Sequence, residues 1–432
     1  MSGPTDLVLA GPRPLRGTVR VPGDKGISHR ALLFGALAEG RSRVAGLAGG
    51  DDVRRTRRAV RALGVRVTGS GTTATVTGLG VDGLTEPAGV IDCGNSGTSM
   101  RLLAGLLAGR PFLTVLTGDA SLVTRPMGRV ADPLRAMGAH VDGRAEGTLA
   151  PLVIRGGALA GTTQSLAVAS AQVKTAIVLA GLQAEGITRV TEPAPSRDHT
   201  ERMLVAFGVP VERNGLSASV TGGTPLHATT VTVPGDASSA AFLVVAALVR
   251  PDSEVRLEGV LLSPTRTAFV EVLRAMGGRV ETELHETEPE PVGTIVACSS
   301  TLRGTRVDPD LVPSLIDEVP ALAVAGAFAS GELEITGASE LRYKESDRIA
   351  ALASGLQALG VPVRELPDGL VVTGGAQLHG ASVDSHDDHR IAMALAVAAL
   401  GATGPTEIAR GECVSVSFPE FYGHLARATG RG

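Results

Sequence analysis

Apolar and polar positions along this chain follow a pattern that repeats. A helix with one apolar face, closed by an apolar–glycine step, recurs as "VRALGVRV", "LRAMGAHV", "LVAFGVPV", "LRAMGGRV", "LQALGVPV" and "LARATG", with glycines at 64, 138, 208, 277, 360 and 430. The spacing is roughly 70 residues, longer than a solenoid repeat and suited to a small βα unit. Each unit reads the same way: an extended lead-in, a Gly/Ser-rich turn, an Ala/Leu helix, a strand, then an amphipathic helix closed by glycine and a further strand. The first and fourth units share the entry Val-x-Val-Pro-Gly-Asp, in "VRVPGDKGISHRALLFGALAEG" and "VTVPGDASSAAFLVVAALV". This groups the units three and three and puts domain boundaries near residues 22 and 234. One domain is then 23–233 and the other 1–22 plus 234–432, the first twenty or so residues pairing with the C-terminal half. Two chain crossings would make a hinge, with a ligand site expected between the lobes.

Composition narrows the function. The longest apolar run, "AAFLVVAALV" from Ala240, is about half the ~20 residues of a membrane-spanning helix, and no apolar segment follows a basic start. The expectation is a soluble, cytoplasmic protein. Cys93, Cys298 and Cys413 are scattered, which argues against a zinc knuckle, a redox dithiol or a disulfide framework. A net charge of −4, with aromatic residues at 2% and no Trp, lacks the basic footprint and stacking platforms of a nucleic-acid binder. A small-molecule ligand fits better. Of the 40 basic residues only Lys25, Lys174 and Lys344 are lysine. In so arginine-rich a chain, these mark places where a compact ammonium serves and a guanidinium fork does not.

The candidate chemistry gathers in the turns "PGDKGISHR", "DCGNSGTSMR", "VTRPMGR", "ASAQVK", "SRDHTER", "SLIDEVP", "RYKESDR" and "SHDDHR". Five of them open or precede predicted helices, whose free N–H groups and positive dipole ends favour anions. A single Gly-rich helix start is usually only a cap. The whole set, with Lys25, Arg30, Arg125, Arg197, Lys344, Arg348 and Arg390, describes a site for several phosphates and carboxylates at once. Asp317, Glu318 and Glu345 stand out among these cations. Carboxylates there would repel anionic ligands, so they suit acid–base work, or else serve as counter-charges to Lys344 and Arg348. His386 and His389 could be read as a metal pair, but no further ligands lie nearby and Arg390 would repel a cation.

"GDKGISHRAL", "GNSGTSMRLL", "TRPMG", "SAQVKTA", "GDASSAAF", "LRYKESDR", "DDHRIAMAL" and "SFPEF" together resemble the 5-enolpyruvylshikimate-3-phosphate synthase family, in that family's order and over nearly the whole chain. "SAQVK", "SRDHTE" and "IDEVP" are similar to its class II branch. The resemblance implies an α/β fold, a two-lobed inside-out α/β barrel of six βαβαββ repeats, three per lobe, with helices inside and sheets outside. It implies transfer of the enolpyruvyl group of phosphoenolpyruvate to the 5-hydroxyl of shikimate 3-phosphate, by addition and elimination through a tetrahedral ketal phosphate. No cofactor, no metal, no nucleic acid or membrane partner and a monomer are the corresponding expectations.

The resemblance also implies roles. Lys25 would stabilise charge in the ketal and Arg30 would hold shikimate 3-phosphate. Asn95, Gly97, Thr98 and Arg125 would form the phosphoenolpyruvate phosphate pocket, with Arg348 and Arg390 clamping its carboxylate and phosphate. Ser170, Ala171, Gln172, Arg197 and Lys344 would line the shikimate side, with Lys174 in support. Asp317 would accept the 5-hydroxyl proton and Glu345 donate one to the methylene carbon. Gly97 would leave room for the inhibitor glyphosate in the phosphoenolpyruvate pocket.

Two positions depart from the family pattern. Gly26 replaces a serine whose hydroxyl helps bind shikimate 3-phosphate, a loss of about 1.5–3 kcal/mol for one hydrogen bond to a charged group. Val416 stands where some members carry another lysine. Gly26 raises the alternative of an enolpyruvyl transferase retuned to a related acceptor. A non-catalytic phospho-ligand binder is a further alternative, disfavoured because Asp317 and Glu345 would weaken a pure anion receptor.

Overall fold

The computed structural model describes residues 14–428; Gly430, the closing glycine expected for the sixth repeat, and the first thirteen residues lie outside them. The chain forms two compact units, Gly23–Val233 and Met1–Pro22 with Pro234–Gly432, and so passes between them at Pro22/Gly23 and Val233/Pro234.

The repeated order appears in the strand pairing. In the second repeat, strand Ile91–Asp92 pairs in parallel with Leu113–Thr117, which pairs antiparallel with Leu149–Arg155, itself antiparallel to His140–Arg144. The third repeats this with Thr163–Ser165, Ile187–Thr191, Ser217–Thr221 and Glu212–Asn214. The first and fourth exchange their lead strands. Arg16–Val19, which enters the first repeat, pairs with Glu254–Leu261 of the fourth, and Thr230–Thr232, which enters the fourth, pairs with Ala38–Ala45 of the first. Each crossing thus leaves its lead strand in the unit the chain has just quit.

Two kinds of helix alternate, for reasons visible in their residues. Lys25–Leu37, Gly97–Leu107 and Ala171–Gly181 in one unit are rich in Ala and Leu all round and are buried almost throughout. So are Ala237–Val249, Val319–Ala327 and His389–Ala399 in the other. A helix without a polar face has to be central, and the sheets of each unit lie outside these cores. The second helix of a repeat is amphipathic; Asp51–Ala62, for example, keeps a charged face to water. Five of these amphipathic helices are followed by the expected glycines, all left-handed: Gly64, Gly138, Gly208, Gly277 and Gly360 have φ between 84° and 107°.

Close packing of the central helices requires a bare backbone at one point. A Cβ on Gly105 would lie 2.2 Å from the Ala176 carbonyl oxygen of helix Ala171–Gly181. Gly105→Ala is expected to destabilise the protein by about 2–3 kcal/mol in urea unfolding. Gly89→Ala, where a Cβ would meet nothing within 4 Å, serves as the control and should stay within about 0.5 kcal/mol of the native chain. Equal stability of the two variants would contradict this packing.

Candidate active site

All eight charged turns, rather than five, open or precede helices, and several are fixed by caps. Asp24, Ser96 and Ser170 accept backbone N–H groups of Ile27, Ser99 and Val173, and Asp347 and Asp388 do the same for Ala350 and Arg390. The candidate residues fall into two groups, one in each unit.

In the Gly23–Val233 unit, Lys25 begins helix Lys25–Leu37 and its Nζ lies 3.0 Å from Asp52 Oδ2. Arg30, buried one turn on, donates through Nε to Thr200 Oγ1 at 2.7 Å, through Nη2 to Thr175 Oγ1 at 2.7 Å and through Nη1 to the Gly26 carbonyl at 2.9 Å. Gly26 is not in the left-handed region. A Cβ there would come 3.2 Å from Asp24 Oδ1 and 3.4 Å from Arg30 Nη1, so a serine at this position would press on the helix cap and on Arg30.

The second turn of this unit is equally tied. Arg125 donates through Nη2 to Asn95 Oδ1 at 2.6 Å and to Ser121 Oγ at 3.0 Å, and Asn95 Nδ2 donates to Asp119 at 2.8 Å. Gln172 donates to Thr98 Oγ1 at 2.9 Å and accepts from Arg101, joining the Asn95–Thr98 turn to the Ser170–Gln172 turn. A Cβ on Gly97 would lie 3.2 Å from Arg101 Nη1 and 3.6 Å from Arg125 Nη1. Arg197 is half-buried in the loop before helix His199–Ala206.

The other unit gathers Asp317, Lys344, Glu345, Arg348 and Arg390. Asp317 lies in the turn before helix Val319–Ala327, with Oδ1 3.2 Å from Arg348 Nη1 and 3.6 Å from Lys344 Nζ. Its backbone carbonyl accepts Arg390 Nη1 at 3.0 Å. Glu345 Oε2 accepts Arg348 Nη2 at 2.7 Å. Asp388, fully buried, accepts Arg348 Nε at 2.8 Å and Nη2 at 3.3 Å.

Arg348, expected with Arg390 to clamp phosphoenolpyruvate, already has partners within the protein. Its side chain is 1% exposed and its donors are held by three carboxylates. To meet a substrate anion it would have to exchange one of them. Burial acts to lower its pKa, but Asp388, Glu345 and Asp317 outweigh burial and raise it. Asp388 moves the other way: burial raises its pKa, Arg348 pulls it down, and the net direction is down.

Sequence reading left out the supporting residues. In sequence Asp388 reads only as a member of the "SHDDHR" turn and the "DDHRIAMAL" motif with no role of its own, and it is the N-cap of helix His389–Ala399 and the partner of Arg348. No group of three or more His, Cys, Asp or Glu among the described residues is arranged to hold a metal ion. Asp52 and His29 back Lys25: His29 Nδ1 is 2.7 Å from Thr56 Oγ1, which contacts Ser99 Oγ at 2.7 Å. Near Asp317, the buried Arg266 donates to Asp236 and Ser238, and Ser238 donates to Glu318.

The six-repeat α/β fold, with anion-receiving helix starts in one unit and carboxylates paired with cations in the other, defines an enolpyruvyl-transferase type of enzyme. The EPSP synthase (3-phosphoshikimate 1-carboxyvinyltransferase) family model matches residues 9–425, and the chain belongs to that family. A 3-phosphoshikimate 1-carboxyvinyltransferase of Synechococcus sp. (strain JA-3-3Ab) is 52% identical over 427 residues, covering 98% of this chain and 96% of the relative. That of Halorhodospira halophila is 55% identical over 421 residues, covering 97% and 94%. Among solved structures, EPSP synthase from Acinetobacter baumannii superposes with a TM-score of 0.87 at 45% identity, covering 98% of this chain and 97% of that one. The enolpyruvyl transferase NikO from Streptomyces tendae, at 19% identity and a TM-score of 0.79 over 98% and 96%, shares the fold.

His29 supplies a pH test of the Lys25 support. Burial first, then Lys25 and Arg30, lower its pKa from 6.5 to about 3. The unfolded chain takes up this proton near pH 6.5 and the folded chain only near pH 3, so the stability gained from the neutral ring is complete above 6.5 and drains away as pH falls toward 3. The full effect is on the order of a few kcal/mol. In thermal melts, His29→Gln is expected to gain on the native chain as the pH drops from 7 to about 4. A stability difference independent of pH would contradict a buried neutral His29.

Proposed function

We propose that the chain transfers the enolpyruvyl group of phosphoenolpyruvate to the 5-hydroxyl of shikimate 3-phosphate and releases phosphate, with Asp317 and Glu345 moving the protons. The observation that carries this reading is the attachment of both carboxylates to the same buried guanidinium, Arg348, at 3.2 and 2.7 Å. Two proton carriers held at one rigid point suit a reaction that adds a hydroxyl across a double bond and then reverses the proton movements.

In the addition step the 5-oxygen bonds to C2 of phosphoenolpyruvate, Asp317 takes the hydroxyl proton and Glu345 gives a proton to C3. In the elimination step the C2–O bond to phosphate breaks, the departing phosphate takes the proton from Asp317, and C3 returns a proton to Glu345. Glu345 must be protonated to begin.

Helix starts and cations supply the binding. Asn95, Gly97, Thr98 and Arg125 receive the phosphate of phosphoenolpyruvate, with Arg390 on its carboxylate. Arg30, Ser170, Ala171, Gln172, Arg197 and Lys344 receive shikimate 3-phosphate, and Lys25 stabilises charge in the ketal. The relatives that match at about half identity are named for carboxyvinyl transfer to 3-phosphoshikimate, which disfavours a retuned acceptor. Gly26 then weakens binding of the usual acceptor without changing its identity. The chain is proposed to work as a cytoplasmic monomer; no helix among the described residues is long and apolar enough to cross a membrane.

Purified protein with both substrates should release phosphate, and neither substrate alone should suffice. Glu345→Gln is expected to reduce turnover by roughly two to four orders of magnitude, the usual contribution of one general acid. Binding of shikimate 3-phosphate should survive. Native turnover in Glu345→Gln would remove this residue from the mechanism, and no phosphate from the native chain would sink the assignment.

A further inference from the structure

Lys174 lies on helix Ala171–Gly181 with its side chain 5% exposed, and its Nζ sits 2.7 Å from Glu192 Oε2 and 2.8 Å from Glu201 Oε1. Both carboxylates are as deeply buried as the lysine. The second oxygen of Glu192 accepts the backbone N–H of Ser170 at 3.1 Å. Ser170 is the N-cap of the lysine's own helix. Glu201 follows Thr200, whose hydroxyl accepts Arg30 Nε at 2.7 Å and lies 2.6 Å from Thr175 Oγ1.

One ammonium therefore ties together the start of helix Ala171–Gly181, the end of strand Ile187–Thr191 and helix His199–Ala206. These segments carry Ser170 and Gln172, the loop with Arg197, and the threonine that orients Arg30. A compact ammonium can sit between two carboxylates that arrive from different segments, where a planar fork would demand one fixed approach.

Stability alone is a poor reason for this triad. Two carboxylates and one ammonium leave a buried excess of negative charge, and Glu201 Oε2 has no hydrogen-bond partner. Apolar side chains would fill the same space at least as well. What apolar groups would not supply is a directed link from the cap residue Ser170 through Glu192 and Lys174 to the neighbour of Thr200.

We infer that Lys174 is a positioning residue for shikimate 3-phosphate, setting Ser170, Gln172 and Arg30 in register through Glu192 and Glu201. This rests on the proposed assignment of those three residues to that substrate. Lys174 itself need not touch the substrate.

The test compares native protein, Lys174→Met and Glu192→Gln by calorimetric titration with shikimate 3-phosphate and by steady-state phosphate release. Displacing a binding group by about 1 Å can cost a hundredfold, so both variants should show a dissociation constant and a KM for shikimate 3-phosphate raised roughly tenfold or more. The KM for phosphoenolpyruvate should stay within about twofold and kcat should be largely retained, a split that general loosening of the fold would not produce. If Lys174→Met does not fold, Glu192→Gln decides the matter, since it keeps the lysine's pair with Glu201. Folded variants that bind shikimate 3-phosphate as tightly as the native chain overturn the inference. A native chain that does not bind shikimate 3-phosphate overturns the substrate assignment, and the inference with it.

Discussion

Arg348 is the interaction on which the catalytic half depends. A fully buried guanidinium is tolerable only with charged partners, and this one has Asp317, Glu345 and Asp388. Removing one member of such a pair typically costs about 3–5 kcal/mol. Each carboxylate comes from a different stretch of chain: Asp317 before helix Val319–Ala327, Glu345 before helix Arg348–Ala358, and Asp388 as the cap of helix His389–Ala399. The arginine thus aligns the starts of neighbouring helices as it collects the two carboxylates proposed to move protons.

The same economy appears in the Gly23–Val233 unit, again with a buried cation among carboxylates. There the hub is Lys174 between two carboxylates, and the groups it aligns are hydroxyl, amide and guanidinium donors suited to anions. Both hubs work because the central helices cannot shift. They are buried almost throughout, packed closely enough that Gly105 has no room for a methyl group, and closed in by sheets.

The repeat was legible because its punctuation is chemical. Gly64, Gly138, Gly208, Gly277 and Gly360 close amphipathic helices with left-handed backbones that other residues adopt at a cost. Helix starts such as "PGDKGISHR" and "DCGNSGTSMR", and the apolar helices behind them, could be read for the same reason: each depends on neighbours in sequence. Partnerships across the fold could not be read that way. Nothing near Arg348 in sequence announces Asp388, 40 residues on, and nothing near Lys174 announces Glu192 or Glu201. The boundaries read near residues 22 and 234 already put the first twenty or so residues with the C-terminal half, and what the sequence left out was the strands that Arg16–Val19 and Thr230–Thr232 join.

The central claim is that a carboxyl group held by Arg348 protonates the methylene carbon and takes a proton back. Turnover in deuterium oxide tests it most directly, because the acid exchanges with solvent before it delivers. The account predicts deuterium on the vinylidene carbon of the product from native protein, and loss of that label when Glu345→Gln is held with both substrates for the time of several native turnovers. A native enzyme that turns over without placing deuterium there would contradict it.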